Sequence, residues 1–529
     1  MIDTDVRSDG AADPRLALAF WQTRGFWLML AIGATVPFWF TPLPPLGDLF
    51  NHIARYHIVQ NYAGSPLLRS YYTVDWAVIP NLAQDVPMLG LGPVLGVERA
   101  ALLLTAAIPF AMVLLIGAIS RAAHGAVQPL ALLALPFTYP LTFTYGFVNF
   151  HTGLVVCFAA ILFWLRTRQR RAPWRYGMLA IAAGIAWLCH SSAWAILVVG
   201  IAALEAVHAF AEKPAPLFRA LVRAALRTLP VLWPVVLFFL APEKRSGSAA
   251  TAYTFFDLQT YLRWYWLKVT NLREVLRDQD KLLDYATYLV MVAIPGVLLV
   301  TRRLAIAPGL ALWALALFAL YWILPPNLMG GYYADFRLLA VLGIAGLLAL
   351  RSTASVRVNT VVVALALSLF GVRIAATTQG WLVAGKDLTR DLAALGQVGN
   401  GARIAAISPL ASCEGWRTQG YTHLASFAIV RRNAFVSTQW DLPGQQIMQP
   451  AYLRGSPYNS VRHLAKGTSG ACGTITAQDF FADLPRDRFD YVWVFDGAPP
   501  GAALAWLEPL YRGPHGRLYR IRRDQRSSR

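Results

Sequence analysis

Charged residues are scarce in this chain. Of 529 residues, only 14% are Asp, Glu, Lys or Arg, whereas 57% are hydrophobic, which is unlike the balance of a soluble domain. The sequence also lacks a P-loop, a CxxC pair, an HExxH helix and a G-x-S-x-G elbow, so the enzyme classes defined by those motifs are not indicated. The composition predicts a polytopic membrane protein that is mainly α-helical.

Cysteine is rare as well, with four residues in the chain. Cys157 and Cys189 lie in apolar stretches, whereas Cys413 and Cys472 lie towards the C-terminal end. The second pair can form a disulfide in an oxidising compartment, although spacing alone does not show that the two thiols approach each other. The chain has no Asn-X-Ser/Thr sequence, which favours a bacterial envelope over a eukaryotic lumen.

Long apolar stretches occupy most of the chain before residue 377. A bilayer core of about 30 Å needs roughly 20 apolar residues per helix, and eleven stretches approach that length. They lie near 26–44, 100–119, 126–145, 147–165, 176–192, 193–211, 228–241, 285–301, 304–324, 336–350 and 358–376. The sequence therefore predicts a cytoplasmic tail, 1–25, and a membrane domain, 26–376, with about eleven transmembrane helices.

Lys and Arg predict the orientation of these helices. Short basic loops such as 166–171 and 302–303 belong on the cytoplasmic side, because positive charge is retained there. With the N-terminus inside a bacterial inner membrane, the exported segments are 45–97, 242–284, 325–335 and 377–529. The first apolar run is too long for a cleavable signal, so we expect an anchor. Since topology accounts for much of the net charge of +19, we do not expect nucleic-acid binding.

The composition changes after the last apolar stretch. Short runs rich in β-branched and aromatic residues alternate with helical patterns, which is typical of an α/β domain. The predicted strands are 403–407, 433–437, 490–495 and 517–521, and the predicted helices are 387–397, 420–430 and 501–511. We therefore expect a C-terminal exported α/β domain over 377–529.

The first exported loop opens with the strongest candidate for chemistry. Asp48 directly follows the first apolar stretch, and a helix over 48–62 would carry Asp48, Asn51, His52 and Arg55 on one face. Such a helix is expected to lie in the membrane interface, with its apolar side in lipid and its polar side towards a cavity. Asp48 is the candidate catalytic base, and His52 and Arg55 are candidate substrate ligands. Alternatively, Asp48 only caps the helix.

Two more carboxylates, Asp75 and Asp85, follow in the same loop beside aromatic residues and prolines. Each is a candidate catalytic helper for Asp48. The alternative is that both serve local turns, where Asp is common.

The exported segment 242–284 is rich in cations and aromatic residues, although membrane insertion depletes Lys and Arg on that side. Binding of phosphate or anionic headgroups explains this, and solvated charge is the alternative. Arg337 is the best candidate phosphate ligand because its guanidinium can fork onto two oxygens; its rival role is an ion pair with Asp335. The candidate substrate-binding residues here are Lys244, Arg245, Arg263, Lys268, Tyr333, Asp335 and Arg337.

Histidines form the last group of candidates. His52, His151 and His190 lie, like Arg337, at predicted exported ends of helices. Polar groups at membrane depth are costly and usually line a cavity. Phosphate binding, orientation of an acceptor and a hydrogen-bonded packing role all remain open for each ring.

The layout resembles that of the GT-C glycosyltransferases: a long first helix, an acidic residue opening the first exported loop, about eleven spans and an exported C-terminal domain. In residues, the resemblance covers Gly47-Asp48 through Arg55. Segments 79–85 and 145–150 also resemble uncharacterised bacterial membrane proteins. The family implies a polyprenyl-phosphate sugar as donor and a base or acceptor-positioning role for the residue matching Asp48. This chain has Asp-Leu where the family often has Asp-Glu, so a need for Mg²⁺ or Mn²⁺ stays open.

The predicted function is therefore transfer of a sugar from a polyprenyl-phosphate donor to an exported glycan, lipid or protein. A polysaccharide ligase or polymerase is the nearest enzymatic alternative. A non-catalytic membrane assembly subunit and a transporter are the alternatives of other classes. A transporter would place charges at mid-membrane and often shows repeated halves, and no internal repeat is visible here.

Overall fold

The computed structural model describes residues 19–170, 173–212, 216–240, 258–326, 328, 333–410, 415–418, 420–442, 444–465 and 475–523. Lys244, Arg245, Cys413 and Cys472 lie outside the described residues, as does the side chain of Arg263. The predictions for these five residues are therefore untested.

The chain is mainly α-helical. The helices are α1 (Arg24–Ala34), α2 (Val36–Phe40), α3 (Leu49–Asn61), α4 (Pro66–Tyr71), α5 (Asp85–Leu95), α6 (Val97–His124), α7 (Leu141–Thr144), α8 (Val148–Thr167), α9 (Pro173–Cys189), α10 (Ser191–Glu212), α11 (Leu217–Leu232), α12 (Val235–Leu240), α13 (Leu258–Glu274), α14 (Lys281–Val300), α15 (Pro308–Ile323), α16 (Arg337–Ala349), α17 (Val356–Leu392), α18 (Phe427–Arg432), α19 (Ala477–Ala482) and α20 (Gly501–Leu504). Segments of 3₁₀-helix lie at Phe20–Gln22, Pro129–Thr138, Ala393–Gln397, Tyr421–Ser426 and Arg486–Arg488.

Among the described residues, five helices are long and apolar enough to cross a membrane: α6, α8, α10, α14 and α17. The other predicted spans fall on shorter helices, and proline explains two of these. Pro37 lies at the start of α2, where the first predicted span divides, and Pro136 lies inside the buried 3₁₀ segment that replaces a continuous helix over 126–145. Proline removes a backbone donor and clashes with the preceding turn. The count of eleven spans remains a prediction.

Helix α17 connects the membrane part to the C-terminal part without a break. It runs from Val356 to Leu392, so the predicted boundary at 376/377 falls inside it. Beyond that boundary Trp381 is buried, with its ring 5.0 Å from that of Phe38 and 6.0 Å from that of Tyr139. The C-terminal end of the helix therefore packs against the first predicted span.

The strands are β1 (Tyr72–Val74), β2 (Leu304–Ile306), β3 (Leu350–Ser352), β4 (Arg403–Pro409), β5 (Phe435–Val436), β6 (Met448–Pro450), β7 (His463–Leu464), β8 (Tyr491–Phe495), β9 (Leu507–Arg512) and β10 (Gly516–Ile521). The main sheet has the order β5-β4-β8-β10-β9, and β7 also pairs with β4. Strands β5, β7 and β8 are parallel to β4, whereas β10 is antiparallel to β8 and β9. Since β5, β4 and β8 run in one direction, their carboxyl ends meet at one edge of the sheet.

Each of the four predicted C-terminal strands overlaps β4, β5, β8 or β10, but the predicted helix over 501–511 is wrong. Only α20 is helical there, and β9 follows it. Strand β9 turns back onto β10 and pairs with it from Leu507 to Arg512, so pairing with a neighbouring strand outweighs the local helical pattern.

Candidate functional site

The main chain holds Asp48 at the start of α3, and its side chain projects into a site. The backbone N–H of Asp48 donates to the carbonyl of Tyr145 at 2.9 Å. The side chain makes no capping hydrogen bond to α3, so the capping interpretation does not describe this residue. About a third of that side chain, 30%, is exposed, and its Oδ1 lies 3.6 Å from Nε2 of His423. The carboxylate is therefore accessible while its backbone is fixed.

Gly146 allows the backbone of Asp48 to be held in this position. It has a φ of +84°, and a Cβ atom there would lie 2.7 Å from the nitrogen of Asp48 and 2.8 Å from that of Leu49. Such contacts are too short for any side chain, and the neighbouring atoms belong to the backbone. The turn that follows α7 therefore requires glycine to approach the start of α3.

We expect Gly146→Ala to destabilise the protein by about 1–3 kcal/mol, in the range of overpacking, beyond the cost of the positive φ itself. The measurement is the midpoint of thermal unfolding of the purified protein. Gly96→Ala is a matched control, because Gly96 also has a positive φ of +80° but nothing lies within 4 Å of its Cβ position. Equal loss in both variants would show that the contact with α3 is unimportant.

Helix α3 is buried, which corrects the prediction of an interfacial helix with an apolar side in lipid. Phe50 is 1% exposed, and its ring lies 5.1 Å from that of Phe427 in α18. Asn51 donates from Nδ2 to the carbonyl of Thr438 at 2.8 Å and accepts from Nε2 of Gln439 at 2.8 Å. The apolar face thus packs against the C-terminal part of the chain.

A strand strengthens this connection between the first loop, 45–97, and the C-terminal part. β1, from the first loop, pairs antiparallel with β6, and the hydroxyl of Tyr72 donates to the carbonyl of Ala434 at 3.2 Å. The C-terminal part is thereby a wall of the site around Asp48.

Arg337 is a buried cation at the start of α16. It is 9% exposed, and its guanidinium carbon lies 4.8 Å from the ring centroid of Phe147 and 5.4 Å from that of Phe150. Its Nε has no hydrogen-bond partner among the described residues. The carboxylate of Asp48 is close enough to act electrostatically on this guanidinium. A buried charge with an unused donor favours an anionic ligand.

His190 contacts Arg337 directly. Its Nε2 lies against Nη1 of Arg337, and its Nδ1 is 3.0 Å from the backbone nitrogen of Ser192. A neutral imidazole accepts at only one of its two nitrogens, so the tautomer decides which of these two hydrogen bonds the ring accepts. His190 is therefore a polar neighbour of the guanidinium, whose Nε remains without a partner among the described residues.

His151 lies in the same cluster but has a local partner. Its Nε2 is 2.9 Å from Oγ1 of Thr142, and its ring is 5.2 Å from that of Phe150. Arg337 acts electrostatically on both His151 and His190. The structure therefore brings together three of the four polar groups predicted at the exported ends of helices.

No family model matches this chain, and no curated protein matches it. The chemistry of the site therefore follows from its own residues.

The fourth predicted group, His52, lies on the other side of Asp48 and belongs to a different cluster. Its ring centroid is 5.1 Å from that of Trp440, which in turn is 5.2 Å from that of His423. Burial, followed by the charges of Arg55 and His423, lowers the pKa of His52 well below its ordinary value. Sequence reasoning missed His423 and Trp440, because no local pattern connects either of them to Asp48.

Several predicted site residues are instead paired with each other. Arg55 and Asp85 form a buried ion pair at 2.6 Å, so these two charges neutralise each other. Lys268 Nζ binds Asp335 at 2.7 Å and also donates to the carbonyl of Leu324 at 2.7 Å. Asp335 is therefore not the partner of Arg337, which corrects the rival interpretation of that pair.

Asp75 and Tyr333, the last two predicted site residues, lie in different surroundings. Asp75 is exposed on the surface of the first loop. Tyr333 has a φ of +60°, and its ring lies 5.5 Å from that of Tyr145 and 6.1 Å from that of Phe147. Tyr333 thus belongs to the aromatic surroundings of Arg337, whereas Asp75 does not.

In the part of the chain that the structure describes, no group of three or more His, Cys, Asp or Glu side chains is arranged to hold a metal ion. The predicted Mg²⁺ or Mn²⁺ requirement is neither supported nor tested by this.

Proposed function

We propose that this chain is a membrane glycosyltransferase of the GT-C type, which transfers a sugar from a polyprenyl-phosphate carrier to an exported acceptor. One observation carries the proposal. Asp48 and Arg337 border the same turn: the backbone N–H of Asp48 donates to the carbonyl of Tyr145 at 2.9 Å, and the guanidinium of Arg337 lies 4.8 Å from the ring centroid of Phe147, close enough for the Asp48 carboxylate to act electrostatically on it. A base beside an anion-binding cation is the pair of groups that such a transfer needs.

The donor phosphate would bind at Arg337. The Nε donor of Arg337, which has no partner among the described residues, would provide a hydrogen bond to a phosphate oxygen. Bonds of this charge-assisted kind are about twice as strong as neutral ones. Because the leaving group departs as an anion, stabilising its charge is more useful than protonating it.

The acceptor would react beside Asp48. An acceptor oxygen forms a bond to the anomeric carbon, the bond between that carbon and the phosphate oxygen breaks, and the electron pair leaves on the polyprenyl phosphate. The acceptor proton passes to the carboxylate of Asp48. His423, 3.6 Å from Oδ1, helps to hold the carboxylate in place.

We also propose about eleven spans in a bacterial inner membrane, with the C-terminal end of α17 and the α/β part that follows it exported. Asp48, Arg337 and Trp440 would then all lie on the exported side. A polysaccharide ligase or polymerase would use the same donor groups, so only the acceptor separates it from this proposal. The paired charges Arg55–Asp85 and Lys268–Asp335 would support the site without contacting the substrate.

Replacing Arg337 by Gln is expected to weaken binding of polyprenyl phosphate by about 10-fold to 100-fold, since hydrogen bonds to charged groups contribute roughly 1.5–3 kcal/mol. Native mass spectrometry of the full-length protein titrated with undecaprenyl phosphate measures this. Arg69→Gln is the matched control, because Arg69 is an exposed cation of the first exported loop and its loss should leave binding unchanged. Binding by wild type that is insensitive to Arg337 would refute the donor site.

A further inference from the structure

We propose that Trp440, with His52 and His423, binds a sugar ring of the acceptor directly beside Asp48. The inference rests on the proposed function only where it assigns that sugar the role of acceptor. It narrows the acceptor from a glycan, lipid or protein to a molecule that presents a pyranose.

The fold places the Trp440 indole where a sugar ring could stack on it; we call this indole the platform. It follows β5 in the chain, at the edge where the carboxyl ends of the parallel strands β5, β4 and β8 meet. Ligands of open α/β sheets bind at this edge. The edge faces α3, because Thr438 and Gln439, just before Trp440, hydrogen-bond Asn51.

The indole is held from two sides while remaining partly exposed. The ring of His52 is tilted by 57° against it, and that of His423 meets it edge-on at 70°. A large apolar side chain that is fixed but not fully covered offers a flat face to a ligand. The C–H face of a pyranose is an apolar surface of matching size.

Two hydrogen-bonding atoms without a partner belong to the rings that contact Trp440. The Nδ1 atoms of His52 and His423 are buried and have no hydrogen-bond partner among the described residues. The two side chains are 8% and 3% exposed. Buried polar atoms are rarely left without a partner, and a neutral imidazole offers one donor and one acceptor. Hydroxyl groups around a sugar ring can supply both kinds of partner.

The position of Asp48 connects this platform to the reaction. Its Oδ1 lies 3.6 Å from the same His423 that contacts Trp440. A sugar stacked on the indole would therefore present a hydroxyl to the carboxylate, while the donor phosphate would be held separately at Arg337. Phosphate recognition and sugar recognition are thus assigned to different residues.

Saturation-transfer NMR on the full-length protein in nanodiscs tests the platform. The probes are the methyl glycosides of glucose, mannose and N-acetylglucosamine, with mannitol as a polyol that has no ring face. We expect saturation of ring protons for at least one glycoside and little for mannitol. Trp440→Ala should lower that signal by about fivefold or more, in line with the loss of one aromatic contact, and Trp440→Phe should retain part of it.

Two controls make the result decisive. Trp76→Ala removes another tryptophan of the first exported loop, 52% exposed, and should leave the signal unchanged; melting temperatures confirm that the variants are folded. Arg337→Gln should keep the glycoside signal although it binds polyprenyl phosphate more weakly. A glycoside signal that persists in Trp440→Ala, equals that of mannitol or is absent from wild type would overturn the sugar site. A failure of lipid binding alone would overturn the proposed donor and leave the sugar site standing.

Discussion

Asp48→Asn is expected to lower the rate of sugar transfer by about 100-fold to 10,000-fold, the usual contribution of a general base. The amide has the size of the carboxylate but cannot accept the proton of the acceptor. Folding should be unaffected, because the contact of Asp48 with Tyr145 uses its backbone N–H and its side chain does not cap α3. The rate is measured as release of polyprenyl phosphate from synthetic polyprenyl-phosphate sugars.

Asp75→Asn is the control for this experiment. It makes the same chemical change in the same loop, on a side chain exposed to solvent, and should leave the rate within about twofold of wild type, as for most surface substitutions. If Asp48→Asn kept full activity with any donor that wild type accepts, Asp48 would not be the base.

Asp85→Ala is expected to cost about 3–5 kcal/mol of stability, because it leaves the charge of Arg55 buried without its partner. The side chains of Arg55 and Asp85 are 2% and 1% exposed, and their atoms lie 2.6 Å apart. The pair joins α3 to the start of α5, so its loss should also loosen the helix that follows Asp48. Thermal unfolding of the purified protein measures the effect.

An exposed ion pair gives the comparison. Glu98 and Arg431 lie 3.0 Å apart with side chains 36% and 38% exposed, and Glu98→Ala should cost less than about 1 kcal/mol. In the double variant Arg55→Met with Asp85→Leu, both charges are removed together, so much of the lost stability should return. Similar losses in Asp85→Ala and Glu98→Ala would contradict the structural role assigned to the buried pair.

Local patterns were sufficient where a segment folds according to its own sequence. The helix over 48–62 is found as α3, and the β-branched run 490–495 overlaps β8. Local patterns predicted the wrong structure where contacts with distant residues determine it. The prolines of 126–145 give a buried 3₁₀ segment instead of a continuous span, and the run 507–512 becomes a strand because β10 is available to pair with it.

The same distinction applies to the residues of the candidate site. Residue type and membrane depth were enough to select Asp48, His190 and Arg337. The pairing of Arg55 with Asp85 and of Lys268 with Asp335 could not be read from the sequence, since charge composition does not specify which charges meet. The contribution of His423 was equally hidden, because only the packing of the C-terminal part on α3 brings it to Asp48.

The most direct test of the central claim is an experimental structure of the full-length protein with bound polyprenyl phosphate. We predict phosphate density within hydrogen-bonding distance of the Arg337 guanidinium, on the side that faces Asp48. A phosphate bound elsewhere, with the Arg337 side chain still against His190, would contradict the proposal that these two charges form one transferase site.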